Sequence, residues 1–180
     1  MPAIAVNVAV INNERILLTK REDFEVWCLP SGGVEDGESL LEAAIRETKE
    51  ETGLDIEVKS LIGVYSRLGE TNDIHAVLYI AKPIGGELKV QDGETLEVKY
   101  FSMSELPDEI LFGHKRRIMD ALNGLTGISV RQELINPKQE TLTRKELYKL
   151  RDQSSLSRQQ FYLNRIKSYE AREVVELESQ

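Results

Sequence analysis

Glu47, Glu50 and Glu51 fall at i, i+3 and i+4 of a stretch, LPSGGVEDGESLLEAAIRETKEETGL (Leu29 to Leu54), that reads as a loop followed by a helix. On a helix this spacing stacks the three carboxylates along one face, where exposed like charges repel by a few tenths of a kcal/mol per pair. They also stand toward the helix C-terminus, the end at which the macrodipole disfavours anions. A cation over the face would relieve both penalties. Hard divalent ions take such oxygen ligands, and Mg²⁺ typically keeps several waters while adding a few carboxylates and substrate phosphates. The plainer alternative is a solvated acidic face with Arg46 paired to Glu50 or Glu42, and spacing alone does not choose between them.

The helix has readable ends. Ser39 and Glu42 form a capping box, and Gly53 suits the left-handed position that closes a helix. Leu41, Ala44, Ile45 and Thr48 recur at helical spacing and predict the face that packs on a sheet. Upstream, Gly32, Gly33 and Gly37 permit backbone turns that aim carbonyls or amides at an ion or a phosphate. No Gly-Lys-Ser/Thr follows, so the loop is not a P-loop, and the Gly-x-Gly-x-x-Gly of dinucleotide sites is absent.

Taken together, the stretch resembles the Nudix box: Gly, five residues, Glu, seven residues, Arg-Glu, an apolar residue, any residue, Glu-Glu, any residue, Gly, an apolar residue. Gly32, Glu38, Arg46, Glu47, Glu50, Glu51, Gly53 and Leu54 occupy its fixed positions, with Thr48 the single departure, at an apolar slot. Trp27-Cys28-Leu29-Pro30 is similar to the usual lead-in, and Ser31 stands where many members carry glycine. The resemblance extends loosely over residues 3 to 122 and stops short of the tail.

This resemblance implies an α/β fold, an α/β/α sandwich with a mixed sheet. It also implies water attack on phosphorus in a nucleoside diphosphate linked to another moiety, with Mg²⁺ or Mn²⁺ as cofactor. Carried over residue by residue, Glu47, Glu50 and Glu51 become metal ligands, joined by the Ser31 carbonyl. Arg46 would hold the glutamates through charge-assisted hydrogen bonds. Gly32, Gly33 and Glu38 would shape the loop beside the substrate. A general base outside the box is expected in QDGETLEVKYFSMSELP, with Glu94 first and Glu97 second. Arg67, at the end of a β-rich run, is a candidate for a substrate phosphate.

The remaining chain must position these groups. Ala3 to Ile11 and Arg15 to Thr19 read as strands joined at Asn12-Asn13. Further strands are expected around Trp27 to Leu29, Asp55 to Leu68, Ile74 to Ala81 and Leu96 to Phe101, with a turn at Ser104 to Leu106 and a short helix at Lys115 to Leu122. Beyond Asn123-Gly124 the composition turns polar, and capping boxes at Thr143/Glu146 and Ser157/Gln160 predict two helices. Tyr162, Ile166 and Tyr169 share a face of the second. The organisation expected is therefore a body at 1–125 and a helical extension at 126–180, packed on the body or on a partner subunit as a homodimer.

Composition narrows the function classes. With 180 residues, 41% hydrophobic and 30% charged, the chain has the make-up of an ordinary globular protein. No apolar run approaches the ~20 residues of a membrane span, and MPAIAVNVAVINNER lacks a basic leader, so it reads as a strand. The net charge of −8 argues against nucleic acid as partner. Residues 1–125 hold 23 acidic and 13 basic side chains, residues 126–180 hold 8 and 10. An acidic body handling an anionic substrate needs cations. The single cysteine, Cys28, excludes an intramolecular disulfide and suits a reducing, cytoplasmic compartment. His75, His114 and the Lys115 to Arg117 cluster read as structural or solvated, Trp27 and Cys28 as core.

Marks that subdivide the family outside the box leave the substrate open among ADP-ribose, other nucleotide-sugars and nucleoside triphosphates. The proline expected about sixteen residues beyond the box for ADP-ribose is replaced by Leu68-Gly69-Glu70-Thr71. Leu17 to Arg21 starts a coenzyme A motif that does not continue, and the tyrosine of dinucleotide hydrolases is missing. A non-catalytic nucleotide-sensing module is the competing class, opposed by the intact glutamate set.

Overall fold

Alternation in the first strand sets the architecture. In β1 (Ala3–Asn12), Val6, Val8 and Val10 join one buried cluster and Ala9 joins another, so the strand is covered on both faces. A computed structural model of the chain describes residues 2–69, 73–137 and 142–177. Part of the Leu68–Thr71 segment noted above therefore lies outside the described residues.

β2 (Arg15–Arg21) returns antiparallel to β1, with the turn at Asn13-Glu14, one residue later than expected; both residues have positive φ, as a two-residue hairpin of matching twist requires. β3 (Trp27–Cys28) pairs with β2, and β4 (Ser31–Gly33) pairs with β1. A long hairpin follows, β5 (Leu54–Leu68) against β6 (Ile74–Gly86), and β7 (Thr95–Phe101) lies on β2. β6 runs parallel to β1, so the sheet is mixed. A 3₁₀ turn, Met103–Glu105, occupies the expected turn before Leu106.

The two helices of the body cover opposite faces. α1 (Leu40–Thr52) places Ala43 and Ala44 against Val6, Val8, Val10 and Leu17. α2 (His114–Leu122) places Ile118 and Ala121 against Ile16, Ile62, Tyr65 and Leu78. This is the α/β/α sandwich. Both predicted ends of α1 are present: Ser39 N–H donates to Glu42 at 2.8 Å, Glu42 N–H to Ser39 Oγ at 3.2 Å, and Gly53 has φ 75°. Its buried face differs from the expected one. Leu41 and Ile45 are exposed, and the sheet side is Ala43, Ala44, Thr48, Glu51 and Thr52. Small side chains let the helix settle close to the sheet, which carries Glu51 inward with them.

The tail holds the two expected helices, α3 (Arg144–Asp152) and α4 (Arg158–Lys167), each opened by its capping box. It also holds two strands that the sequence reading did not foresee. β8 (Ile128–Ile135) runs parallel to β5, and β9 (Glu170–Leu177) pairs antiparallel with β8. Of the two destinations expected for the tail, its apolar residues take the body: Leu147 and Tyr162 are buried with Phe24 and Val26. Tyr162 Oη accepts the Phe112 N–H at 2.7 Å. Ile166 packs on the same cluster.

Candidate active site

Arg46 organises the carboxylates. Its Nε and Nη2 grip Glu38 through both oxygens at 2.8 and 2.9 Å, Nη1 reaches Glu47 at 2.9 Å and Glu50 at 3.2 Å, and Nη2 also donates to the Gly33 carbonyl at 3.1 Å. One guanidinium thus fixes the loop to the helix, and it brings Glu38's carboxyl down to about 2. Glu42 takes no part, being spent on the cap.

Glu51 is buried and accepts the Ser31 N–H at 3.1 Å. Burial pushes its carboxyl up to about 8, and the charges of Glu47 and Glu94 add to the rise. Burial likewise raises Glu47, with Glu50 and Glu94 contributing. Gly32 leaves room for this crowding, because a side chain there would collide with the Glu47 carboxylate. Glu50 is more open, its side chain 45% exposed.

Two connected cavities meet at Ser31, Gly32 and Gly33. A polar cleft of about 580 Å³ is lined by Glu47, Glu51, Glu94 and Arg21. Beside it, a pocket of about 400 Å³ is walled by Phe24, Leu111, Phe112, Leu147, Tyr148 and Tyr162, with Asn7, Arg67 and Arg117 also in its lining and Arg21, Asp23 and Arg144 shared with the cleft. Both lie in the size range of small-molecule sites. A wider groove of about 720 Å³ runs along the far side of α1 past Ile45 and Ile56; it contains neither Glu47 nor Glu51.

The structure therefore brings Ser31, Gly32, Gly33, Glu47, Glu51 and Glu94 to one cleft, with Arg46 bonded to Glu38 and holding Glu50 alongside Glu47. Glu97 does not reach it. It is exposed on β7 opposite Lys20, and the register shift at Lys20/Arg21 separates its position from the Glu94 end. Arg67 is half-buried and lines the neighbouring pocket rather than the glutamate cleft.

Other readings change as well. Arg117 is not a solvated helix residue: it is 4% exposed and donates to Asn7 Oδ1 and Gln132 Oε1, both at 2.8 Å. Burial without a carboxylate partner pulls it down to about 10. His114 is structural as expected, its Nδ1 accepting the Leu29 N–H at 3.1 Å. Trp27 packs edge-on to Phe101, and Cys28 is buried, its thiol pushed up by burial to about 11. Sequence reasoning missed Asp23 and the tail arginines 144, 151 and 158, all of which line the cleft.

The NUDIX domain description matches residues 1–122, two thirds of the chain and the whole of the glutamate-bearing body. The chain belongs to the Nudix family. Among its Nudix relatives, a Methanocaldococcus jannaschii protein named ADP-ribose pyrophosphatase is 40% identical over 131 residues, covering 70% of this chain and 76% of the relative. A Bacillus subtilis protein, provisionally an 8-oxo-dGTP diphosphatase, is 39% identical over 124 residues, covering 68% and 82%. The crystal structure of a Nudix hydrolase from Nitrosomonas europaea superposes with a TM-score of 0.61 at 30% identity, covering 70% of this chain and 75% of that one. The protein is thus a Nudix-type hydrolase, and the mixed sheet between helices is the architecture its relatives share.

Proposed function

We propose that the chain hydrolyses the diphosphate linkage of a nucleoside diphosphate derivative with a divalent metal ion, Mg²⁺ or Mn²⁺. The observation that carries this reading is Glu51, buried and bound to the Ser31 amide where the polar cleft meets the apolar pocket. A carboxylate so desolvated, with Glu47 and Glu94 adding negative charge, is a position that favours a cation.

Among the described residues no three of His, Cys, Asp and Glu already stand as a closed cluster around an ion. The donor set nonetheless fits a hard divalent cation, being all oxygen and anionic, with Glu47 and Glu50 held in reach by the Arg46 fork. Glu47, Glu50 and Glu51, with the Ser31 backbone, would hold it. Bound there, such an ion neutralises phosphate charge and lowers the pKa of water.

This chain's own groups do the rest. The apolar pocket takes the nucleoside, excluding water from that end and fixing the phosphates over the glutamates. Gly32 and Gly33 keep the loop low enough for a phosphate to approach. Glu94, exposed on the cleft rim, accepts the proton of the attacking water. Residues 1–125 act as the catalytic body and 126–180 as its roof, in a cytoplasmic enzyme. Among the described residues no helix is long and apolar enough to cross a membrane.

The test is phosphate-coupled hydrolysis over nucleotide-sugars, dinucleotides and triphosphates with Mg²⁺, Mn²⁺ or EDTA, alongside Glu51→Gln. Metal-dependent turnover that the variant loses supports the proposal. Absence of turnover by folded, metal-loaded protein on the whole panel overturns it in favour of a nucleotide-sensing module.

A further inference from the structure

The tail brings cations to the cleft that the body fills with carboxylates. Arg144, Arg151 and Arg158 line it together with Arg21. All three lie beyond residue 122, where the family match ends. Arg144 is the first residue of α3 and Arg158 the first of α4. A cation at a helix N-terminus opposes the macrodipole and weakens the helix slightly. Neither residue is needed for capping, which Thr143 with Glu146 and Ser157 with Gln160 already supply. Their placement therefore serves something other than helix stability.

The arginines are held in place yet keep donors to spare. Arg144 Nε donates to Tyr148 Oη at 2.7 Å, and Tyr148 Oη donates to Asp23 at 2.8 Å. Arg151, seven residues after Arg144 and so on the same face, anchors to the Asp23 carbonyl at 2.7 Å, and Arg158 anchors to the Glu22 carbonyl at 2.9 Å. Arg144 and Arg158 each also meet a carboxylate of the body at the edge of ion-pair range. Asp23 is taken by Arg21 through both oxygens, leaving Arg144 a 3.5 Å contact, and Glu22 stands 3.5 Å from Arg158. Arg144's side chain is 71% exposed and Arg158's 40%. Each guanidinium has five N–H donors, more than these contacts use, and both residues line the polar cleft.

We propose that Arg144 and Arg158 bind the terminal phosphates of a nucleoside triphosphate, so that the enzyme prefers triphosphates to nucleotide-sugars. This rests on the hydrolase reading above. With the nucleoside in the apolar pocket and the first two phosphates over the glutamates, whatever lies beyond the second phosphate extends along the polar cleft toward the arginines. A sugar there offers neutral hydroxyls, which gain less from guanidinium groups than charged acceptors do. A phosphate chain offers charged acceptors matched to the arginine fork.

Two measurements on the full chain test it, with Arg144→Gln as the variant because its side chain is largely exposed and its contacts are with other side chains. In EDTA, calorimetric binding of inorganic tripolyphosphate is expected, weakened at least tenfold in Arg144→Gln and partly restored in Arg144→Lys. With metal, the ratio of kcat/KM for deoxynucleoside triphosphates over that for ADP-ribose is expected to fall at least tenfold in Arg144→Gln, chiefly through KM. Arg158→Gln repeats both measurements on the second helix. Tripolyphosphate binding indifferent to both substitutions, or an equal loss on both substrate classes, overturns the proposal. A protein inactive on the whole substrate panel that still shows arginine-dependent tripolyphosphate binding keeps the phosphate site and refutes the hydrolase reading alone.

Discussion

His114 offers a quantitative check on the packing under the active-site loop. Its ring is buried, and Nδ1 accepts the N–H of Leu29, two residues before Ser31. Protonation would turn that acceptor into a donor facing an N–H. It would also add positive charge beside Arg117 of its own helix, Arg21 of β2 and Arg67 of β5. Burial, reinforced by those three cations, holds the imidazole well below its ordinary 6.5. With the folded value lowered, the unfolded chain binds the extra proton first. The stabilisation is then complete above pH 6.5 and lost as pH falls, by about 1.4 kcal/mol per pH unit. Acidification below 6.5 therefore lowers stability until the folded imidazole itself protonates, each kcal/mol lost being roughly 2–4 °C in Tm for a chain of this size. The measurement is urea unfolding of wild type and His114→Asn from pH 5 to 7.5 in EDTA; Asn keeps an acceptor near Nδ1 but does not titrate. Glu51 and the other carboxylates are common to both proteins and cancel in the difference. The wild type should lose its advantage over the variant as pH drops. A difference that stays constant across the range would refute the reasoning.

Arg46→Lys keeps the charge but gives up the two-pronged grip on Glu38 and the simultaneous reach to Glu47 and Glu50. Activity should fall about 10- to 100-fold with a smaller change in Tm, read by steady-state kinetics and thermal melting. In the tail, Tyr162→Phe removes the acceptor of the Phe112 N–H and leaves that amide without its protein partner in a half-buried position. A loss of about 1–2 kcal/mol is expected in equilibrium unfolding, and an unchanged midpoint would show that water replaces the hydroxyl.

What could be read in the sequence was local. The capping boxes at Ser39, Thr143 and Ser157 and the Gly53 terminator are signals between residues three or four apart, and each appears where expected. The site was legible for the same reason where it is built from one loop and one helix. The buried face of α1 was misread because Leu41 and Ile45 are the larger apolar residues. Proximity to the sheet favours the small ones, Ala43 and Ala44. β8 escaped because its pattern of Ile128, Val130, Gln132 and Leu134 carries an amide at a fully buried position, where Gln132 receives Arg117. A register shift separates Glu97 from the Glu94 end, which spacing does not encode, while Arg67 lines the apolar pocket beside the glutamate cleft. No spacing rule connects Arg144 and Arg158 to Glu47, a hundred residues earlier. The seven-residue interval from Arg144 to Arg151 was the available hint.

The roof over the cleft hangs between two strands: β8 leads into α3 and β9 follows α4, and both are laced into the sheet. Among the described residues, α3 and α4 are also fixed to the body through buried Leu147 and Tyr162. Little ordering is left for a ligand to impose, so binding should carry a small conformational entropy penalty. On the proposal above, substrate meets arginines already anchored to the body, in contrast to a flap that must close. Release from such a site would be governed by the contacts themselves rather than by the opening of a lid.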